Sequence, residues 1–257
     1  MLKWIIGVTA GAAVTAVAAY QLAYKPWRRQ WEASPEEAER TLPGDDLVPD
    51  AGVVETTAVT IHAPPSAVWP WLVQMGFERG GWYSYDAVDM KGSSARELLP
   101  EFQDLEVGQL VPVAPEMGFR VDVLEPERSL VLYNDSELVA EQSRAAAERL
   151  AEVTAEGGAP PQGLKMAGGL SQATMADFKA SWAFVLEPLD GGQTRLLERL
   201  RVWTTPGPAA AITGPLMDFG IFLMTRKQLL GIKQRVEMAT GAEPRLEEME
   251  VVASPSS

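Results

Sequence analysis

The sequence predicts an α+β domain preceded by an N-terminal transmembrane helix. Three observations carry this. Short segments of alternating apolar and polar residues, bounded by Gly and Pro turns, recur between residues 53 and 204. A long helical pattern from about Pro208 to Thr240 closes the ordered part. No charged residue occurs from Trp4 to Tyr24, a run bracketed by Lys3 and Lys25. About 20 residues of helix cross a hydrocarbon core. The 257 residues suffice for one large domain or two small ones, and 46% hydrophobic composition supports a sizeable core.

Residues 1–27 are expected to anchor the chain. Trp4, Tyr20, Tyr24 and Trp27 sit where aromatic rings favour the membrane interface. Lys25, Arg28 and Arg29 outweigh Lys3, so the positive-inside rule puts the rest of the chain in the cytoplasm, on a single-pass protein of the cell membrane. Ala16-Val17-Ala18 keeps a second reading open, a cleaved signal that releases a secreted domain. Residues 28–52 read as an acidic, solvated linker. Within it Ser34-Pro35-Glu36-Glu37 has an N-cap, a first-turn proline and first-turn acids in order.

The domain proper is expected over 53–241. Val53 to His62 is a predicted strand, and Ser66 to Met75 a helix entered through Pro65 and capped by Ser66. Ser84 to Asp89 is predicted as a second short helix. Gln109 to Ala114, Gly118 to Glu125 and Ser129 to Asn134 follow as strands. Ser181 to Pro188 and Thr194 to Thr204 form a hairpin across Leu189-Asp190-Gly191-Gly192. Residues 135–179 form an insertion. Its first half, Ser136 to Ala155, is helical by composition, and Gly157 to Gln172 is a lid or a disordered loop. The closing helix is expected to bend at Gly214-Pro215 and to stop near Gly241, with residues 242–257 a disordered tail.

A strand running into Ala63-Pro64-Pro65, then Trp69-Pro70-Trp71-Leu-Val-Gln-Met-Gly76 and Gly80-Gly81-Trp82-Tyr83-Ser84-Tyr85-Asp86, resembles the START-like or SRPBCC superfamily, also called Bet v 1-like. The likeness continues in Leu99-Pro-Glu-Phe, in Ser181-Trp182-Ala-Phe-Val-Leu-Glu-Pro188 and in Gly192-Gln-Thr-Arg-Leu196. It points to a bacterial branch of polyketide cyclase/dehydrase-like proteins. The resemblance implies a helix-grip fold, in which a curved antiparallel sheet wraps a long C-terminal helix and leaves a cavity. The superfamily includes lipid carriers, hormone receptors, cyclases and Rieske-oxygenase domains. The cysteine-histidine cluster of the last group is missing here.

Composition narrows the chemistry. With 35 acidic against 22 basic residues the chain lacks the footprint of a nucleic-acid binder. It has no cysteine and a single histidine, His62, so thiol chemistry and ordinary zinc sites are out of reach. No metal, cofactor or catalytic residue is assigned. Asp86, Tyr85 and Glu198 are the only acid–base candidates, and none has a partner that the sequence identifies. The pocket residues are expected to be Trp71, Trp82, Phe119, Trp182 and Phe184, facing Phe219 and Phe222 of the last helix, with Tyr83, Tyr85 and Asp86 at the mouth. Glu198, Arg199 and Arg201 share a strand, and an inward arginine would need a carboxylate or an anionic ligand. Arg79 before the double glycine is a further candidate for an acidic ligand. The expected function is binding of a hydrophobic small molecule, lipid or isoprenoid-like, at the membrane surface. A cyclase/dehydrase-like enzyme acting on an aromatic or polyketide-like substrate, and a protein-interaction module, are the alternatives.

Overall fold

The computed structural model describes residues 20–86, 92–115, 117–155 and 177–242, with the side chains of 21, 23 and 208–218 outside the description. The expected anchor falls mostly outside these residues, as do most of the second short helix, the 157–172 loop and the tail. Among the described residues no helix is long and apolar enough to cross a membrane.

Six strands form one sheet: β1 (Val53–Ile61), β2 (Leu110–Ala114), β3 (Met117–Glu125), β4 (Ser129–Asp135), β5 (Phe178–Leu189) and β6 (Gln193–Thr204). Their order is β1-β6-β5-β4-β3-β2, every neighbouring pair antiparallel. The helices are α1 (Lys25–Arg29), α2 (Pro35–Glu39), α3 (Pro65–Val73), α4 (Ser136–Ala155) and α5 (Pro208–Thr240). Helix α5 lies chiefly against β1, α3 and β6, an arrangement that fits the helix-grip fold.

Strand β1 alternates faithfully. Thr57, Val59 and Ile61 share the register face of Glu198 and Leu196, towards α5, and Thr56, Ala58 and Thr60 take the other face. On α5, Leu229, Ile232 and Val236 are fully buried at spacings of three and four. Each such burial contributes roughly 1.5–3 kcal/mol. Gly231 on the same helix touches the Tyr83 carbonyl so closely that a Cβ would sit 2.1 Å from that oxygen. The helix ends at Gly241, whose φ of 66° supplies the left-handed C-terminal turn. It continues as one helix through Gly214-Pro215, where Pro215 lacks the N–H for its own hydrogen bond.

Several expectations need correction. Helix α3 starts at Pro65 with Pro64 as its N-cap, so Ser66 lies inside the first turn and makes no cap. Strand β5 begins at Phe178, where Lys179 and Ala180 pair with Asp135 and Asn134. The insertion is therefore shorter than expected at its end. Its first half is docked on the sheet: Gln142 of α4 accepts from Gly118 N at 2.9 Å and donates to Gly118 O at 3.1 Å.

The acidic segment is the largest departure. Residues 31–49 form a strap over the outer face of the sheet instead of a solvated spacer. Ala58 N–H at the free edge of β1 donates to Trp31 O, which protects that edge from other chains. Leu42 and Ala33 pack on Ala58, Val185 and Leu197. Arg195 pairs with Glu37 at 2.7 Å, and this guanidinium holds the Glu37 carboxyl below the usual range. The Ser34 capping box forms as expected, with Ser34 and Glu37 exchanging hydrogen bonds. Arg199, only 2% exposed, is enclosed by the strap.

Candidate functional site

The inner face of the sheet and α5 do not meet everywhere. Between them lies a cavity of about 460 Å³. Its sheet wall is Ala180 and Trp182 of β5, Leu200 and Val202 of β6, Phe119 of β3 and Val113 of β2. The pairings Trp182↔Leu200 and Ala180↔Val202 set these four side by side. Its helix wall is a stripe at Ile221, Met224, Thr225 and Gln228, the one-face spacing of an α-helix. Trp82 and Ser84 close a third side, and Ser84 Oγ donates to Met224 O at 3.0 Å. The lining is mainly apolar, with Thr225, Gln228 and Ser84 as isolated polar groups. That is the composition of small-molecule sites. Two clefts of about 850 Å³ elsewhere carry several charged side chains each, among them Arg96, Glu97 and Arg235 in one, Glu125, Glu127 and Arg128 in the other.

Trp182 is the centre of the wall. It stacks on Trp82 with centroids 5.1 Å apart and planes 17° apart, and meets Phe119 edge-on at 5.7 Å and Phe184 at 5.2 Å. Its indole N–H donates to Glu198 Oε1 at 2.7 Å. Glu198 is fully buried behind the tryptophan, and its second carboxyl oxygen makes no hydrogen bond. Burial pushes this acid up to about 8, with the nearby Glu55 adding to the rise and the Trp182 hydrogen bond opposing it. Glu55 is itself buried and lies 3.8 Å from the fully buried Arg28 of α1. A polar chain thus runs from α1 to the aromatic wall.

Glu198 gives a pH prediction. In the unfolded chain it returns to about 4.3. Between there and about 8 the folded chain keeps a proton that the unfolded chain has lost. The stability linked to the protonated acid is complete below about pH 4.3 and is lost as pH rises towards 8. Urea unfolding of wild type and Glu198→Gln across this range should show wild type losing ground steadily as pH rises. A constant difference between the two would contradict this assignment.

The sequence-predicted residues divide. Trp82, Phe119 and Trp182 line the cavity, and the buried Phe184 supports Trp182 from beside it. Trp71 is buried against Tyr83, with ring centroids at 5.9 Å, away from this wall. Tyr83 is fixed rather than free at a mouth: its backbone is left-handed, φ 59°, its hydroxyl donates to Trp71 O at 3.0 Å, and Arg235 lies over its ring. Asp86 accepts from Ser94 Oγ, which in turn accepts from Tyr83 N, so it braces the loop. Tyr85 is 46% exposed. Phe222 turns towards Trp27 and Arg28 of α1, and Phe219 is 38% exposed, because neither falls on the Ile221–Met224–Thr225–Gln228 stripe. Arg79 serves the carbonyls of Met75, Val73 and Phe102, so it closes the end of α3 and is committed away from any acidic ligand. His62 is tied to Glu237 of α5 at 2.8 Å.

Sequence reasoning missed Ala180, Leu200, Val202 and the α5 stripe. Alternation outward from Trp182 reaches Ala180, and the hairpin register reaches Leu200 and Val202, so the signal was present once the strand length was right. Arg28 had no such signal, because only the folded position of α1 brings it to Glu55. Among the described residues no group of acids and histidine could hold a metal ion.

No family model and no curated protein matches the chain. Several solved structures do. Protein MLL2253 from Mesorhizobium loti is 14% identical, with a TM-score of 0.35, over 72% of this chain and 98% of that one. The hypothetical protein jhp0584 from Helicobacter pylori is 12% identical, with a TM-score of 0.39, over 76% and 94%. Cgl2372 from Corynebacterium glutamicum, a Polyketide_cyc-like protein, is 16% identical, with a TM-score of 0.26, over 77% and 93%. At these scores no function is taken from any of them.

Proposed function

We propose that this protein binds an apolar small molecule in the cavity between the sheet and α5. The observation that carries the reading is the wall itself: six apolar sheet residues and a helical stripe line a space of about 460 Å³ among the described residues. Filled cores leave few voids larger than a water. A lipid or isoprenoid-like molecule suits this lining, and Thr225, Gln228 and Ser84 offer it a few hydrogen bonds.

The enzyme reading has one observation in its favour, the raised Glu198. Geometry precedes pKa in such assignments. Glu198 sits behind Trp182 and forms no part of the cavity lining, so a ligand there meets the indole and not the acid. Binding is therefore the better-supported reading. Native mass spectrometry of the purified chain, with solvent extraction, is expected to show one co-purified apolar molecule per chain. A ligand-free chain that also fails to take up apolar molecules would refute it.

Localisation belongs to the same proposal. The uncharged run from Trp4 to Tyr24 serves as a single-pass anchor with the domain on the cytoplasmic side. Protease protection in sealed vesicles tests this, and a soluble mature chain beginning near Ala19 would sink it.

A further inference from the structure

We infer that the surface formed by α1 and the 219–227 turns of α5 is a docking face for an anionic lipid bilayer.

Large apolar side chains cluster here in the open. Leu22 is 80% exposed, Trp27 54%, and Phe219 and Leu223 38% each. Trp27, Phe219 and Leu223 gather around one contact between α1 and α5. Trp27 meets Phe222 with centroids at 6.0 Å, and Phe219 and Leu223 stand three residues before and one after that contact on the same helix. Single exposed apolar residues are ordinary, but a contiguous group rimmed by charge marks an interaction surface.

Three cations border the face. Lys25 lies in α1 beside Trp27. Arg226 stacks over Trp31 at 5.1 Å, and Lys227 follows Leu223 by one helical turn. These cations stand on a chain whose net charge is -13. A basic rim around Trp and Leu on an otherwise acidic protein complements an anionic headgroup layer rather than an acidic or neutral protein. The chain N-terminal to the patch points the same way, since the uncharged run from Trp4 ends at Tyr24, one residue before α1.

The cavity shares this end. Ile221 and Met224 belong both to its lining and to the turns that carry Phe219 and Leu223. Met224 is itself 37% exposed. Phe219 and Leu223 stand on the far side of α5 from the Ile221, Met224, Thr225 and Gln228 stripe, so a bilayer docked there leaves the cavity wall facing the sheet.

The absence of cysteine makes a direct test available. The full chain carries a single new thiol, Leu223→Cys or Asp190→Cys, labelled with an environment-sensitive nitrobenzoxadiazole dye. Asp190 lies in the β5–β6 turn, at the far end of the hairpin from Val202 and Ala180. Vesicles of phosphatidylcholine, and of phosphatidylcholine with about one-quarter phosphatidylglycerol, contain brominated acyl chains as a quencher. The dye at 223 should shift to the blue and be quenched on the anionic vesicles, and the dye at 190 should not. The effect should fall at high salt. Lys25→Glu with Lys227→Glu should raise the anionic lipid needed by about tenfold or more. Equal behaviour at 190 and 223, or no quenching at 223 while the chain is vesicle-bound, overturns the proposal. So does a blue shift at 223 that needs only higher protein concentration, because a second copy then covers the face. Uptake of N-phenyl-1-naphthylamine without vesicles is measured on the same samples. Uptake without docking sinks the docking face alone, and docking without uptake sinks the cavity reading alone.

Discussion

Arg199→Ala should destabilise the fold by about 3–5 kcal/mol, the range for stripping one partner from a buried, fully bonded charge. The guanidinium makes five hydrogen bonds: to Thr56 Oγ1 at 3.0 Å, Arg40 O at 2.7 Å, Asp45 Oδ2 at 2.8 Å, Glu37 O at 2.7 Å and Ala38 O at 2.8 Å. Four of these five acceptors belong to the strap. Removing the donor strips the Glu37, Ala38 and Arg40 carbonyls of this partner, a desolvation penalty at each, and leaves Asp45 with the Leu42 N–H and the Arg201 guanidinium. Arg199→Lys should rescue little, because one ammonium cannot reproduce the planar fork that serves acceptors on several sides. Urea denaturation measures this as a lower midpoint. A loss below about 1 kcal/mol would show that the strap holds without its arginine.

Trp182→Ala should cost about 3 kcal/mol or more and should also abolish uptake of an apolar probe. One side of the ring is packed on Trp82, Phe119 and Phe184, and another lines the cavity. Truncation therefore removes packing and wall together. It also removes the donor to Glu198, whose bond at 2.7 Å is its only one. Trp182→Phe separates these effects. It keeps most of the ring but lacks the indole N–H, so Glu198 should titrate above its present value of about 8. Carboxyl infrared spectroscopy across pH reads this shift. An unchanged Glu198 titration in Trp182→Phe would mean that the hydrogen bond does not set the acid's environment.

Much of the sheet was legible because its strands alternate. Trp182 and Phe184 declare a shared face by spacing alone, and the two glycines after Asp190 declare the turn between β5 and β6. Val121 and Val123 have the same spacing, but a bulge between them pairs Val121 with Leu132 and Val123 with Val131 and turns them to opposite faces. The start of β5 was not legible: Phe178-Lys-Ala-Ser carries little strand character, and its partners in β4 and β6 make it one. The strap was misread for a related reason. Its acids look like solvation, and only Arg195 and Arg199, some 160 residues away, turn Glu37 and Asp45 into contacts. At the candidate site the aromatic wall was visible in the sequence, but the side of α5 that faces it was not. Phe219 and Phe222 drew attention by size, whereas Met224, Thr225 and Gln228 are the residues that the helix rotation presents. Helical phase around a nearly all-apolar segment cannot be read from composition, since every face looks like a core face.

The central claim is that the space beside Trp182 is a binding cavity. Ala180 projects into it and is paired with Val202, another lining residue. Titration of N-phenyl-1-naphthylamine into wild type and Ala180→Phe is the most direct measurement. Wild type should bind one probe per chain saturably, and Ala180→Phe, its new ring occupying the space, should bind none while its urea midpoint stays near wild type. No saturable binding to wild type, or undiminished binding to Ala180→Phe, would contradict the account.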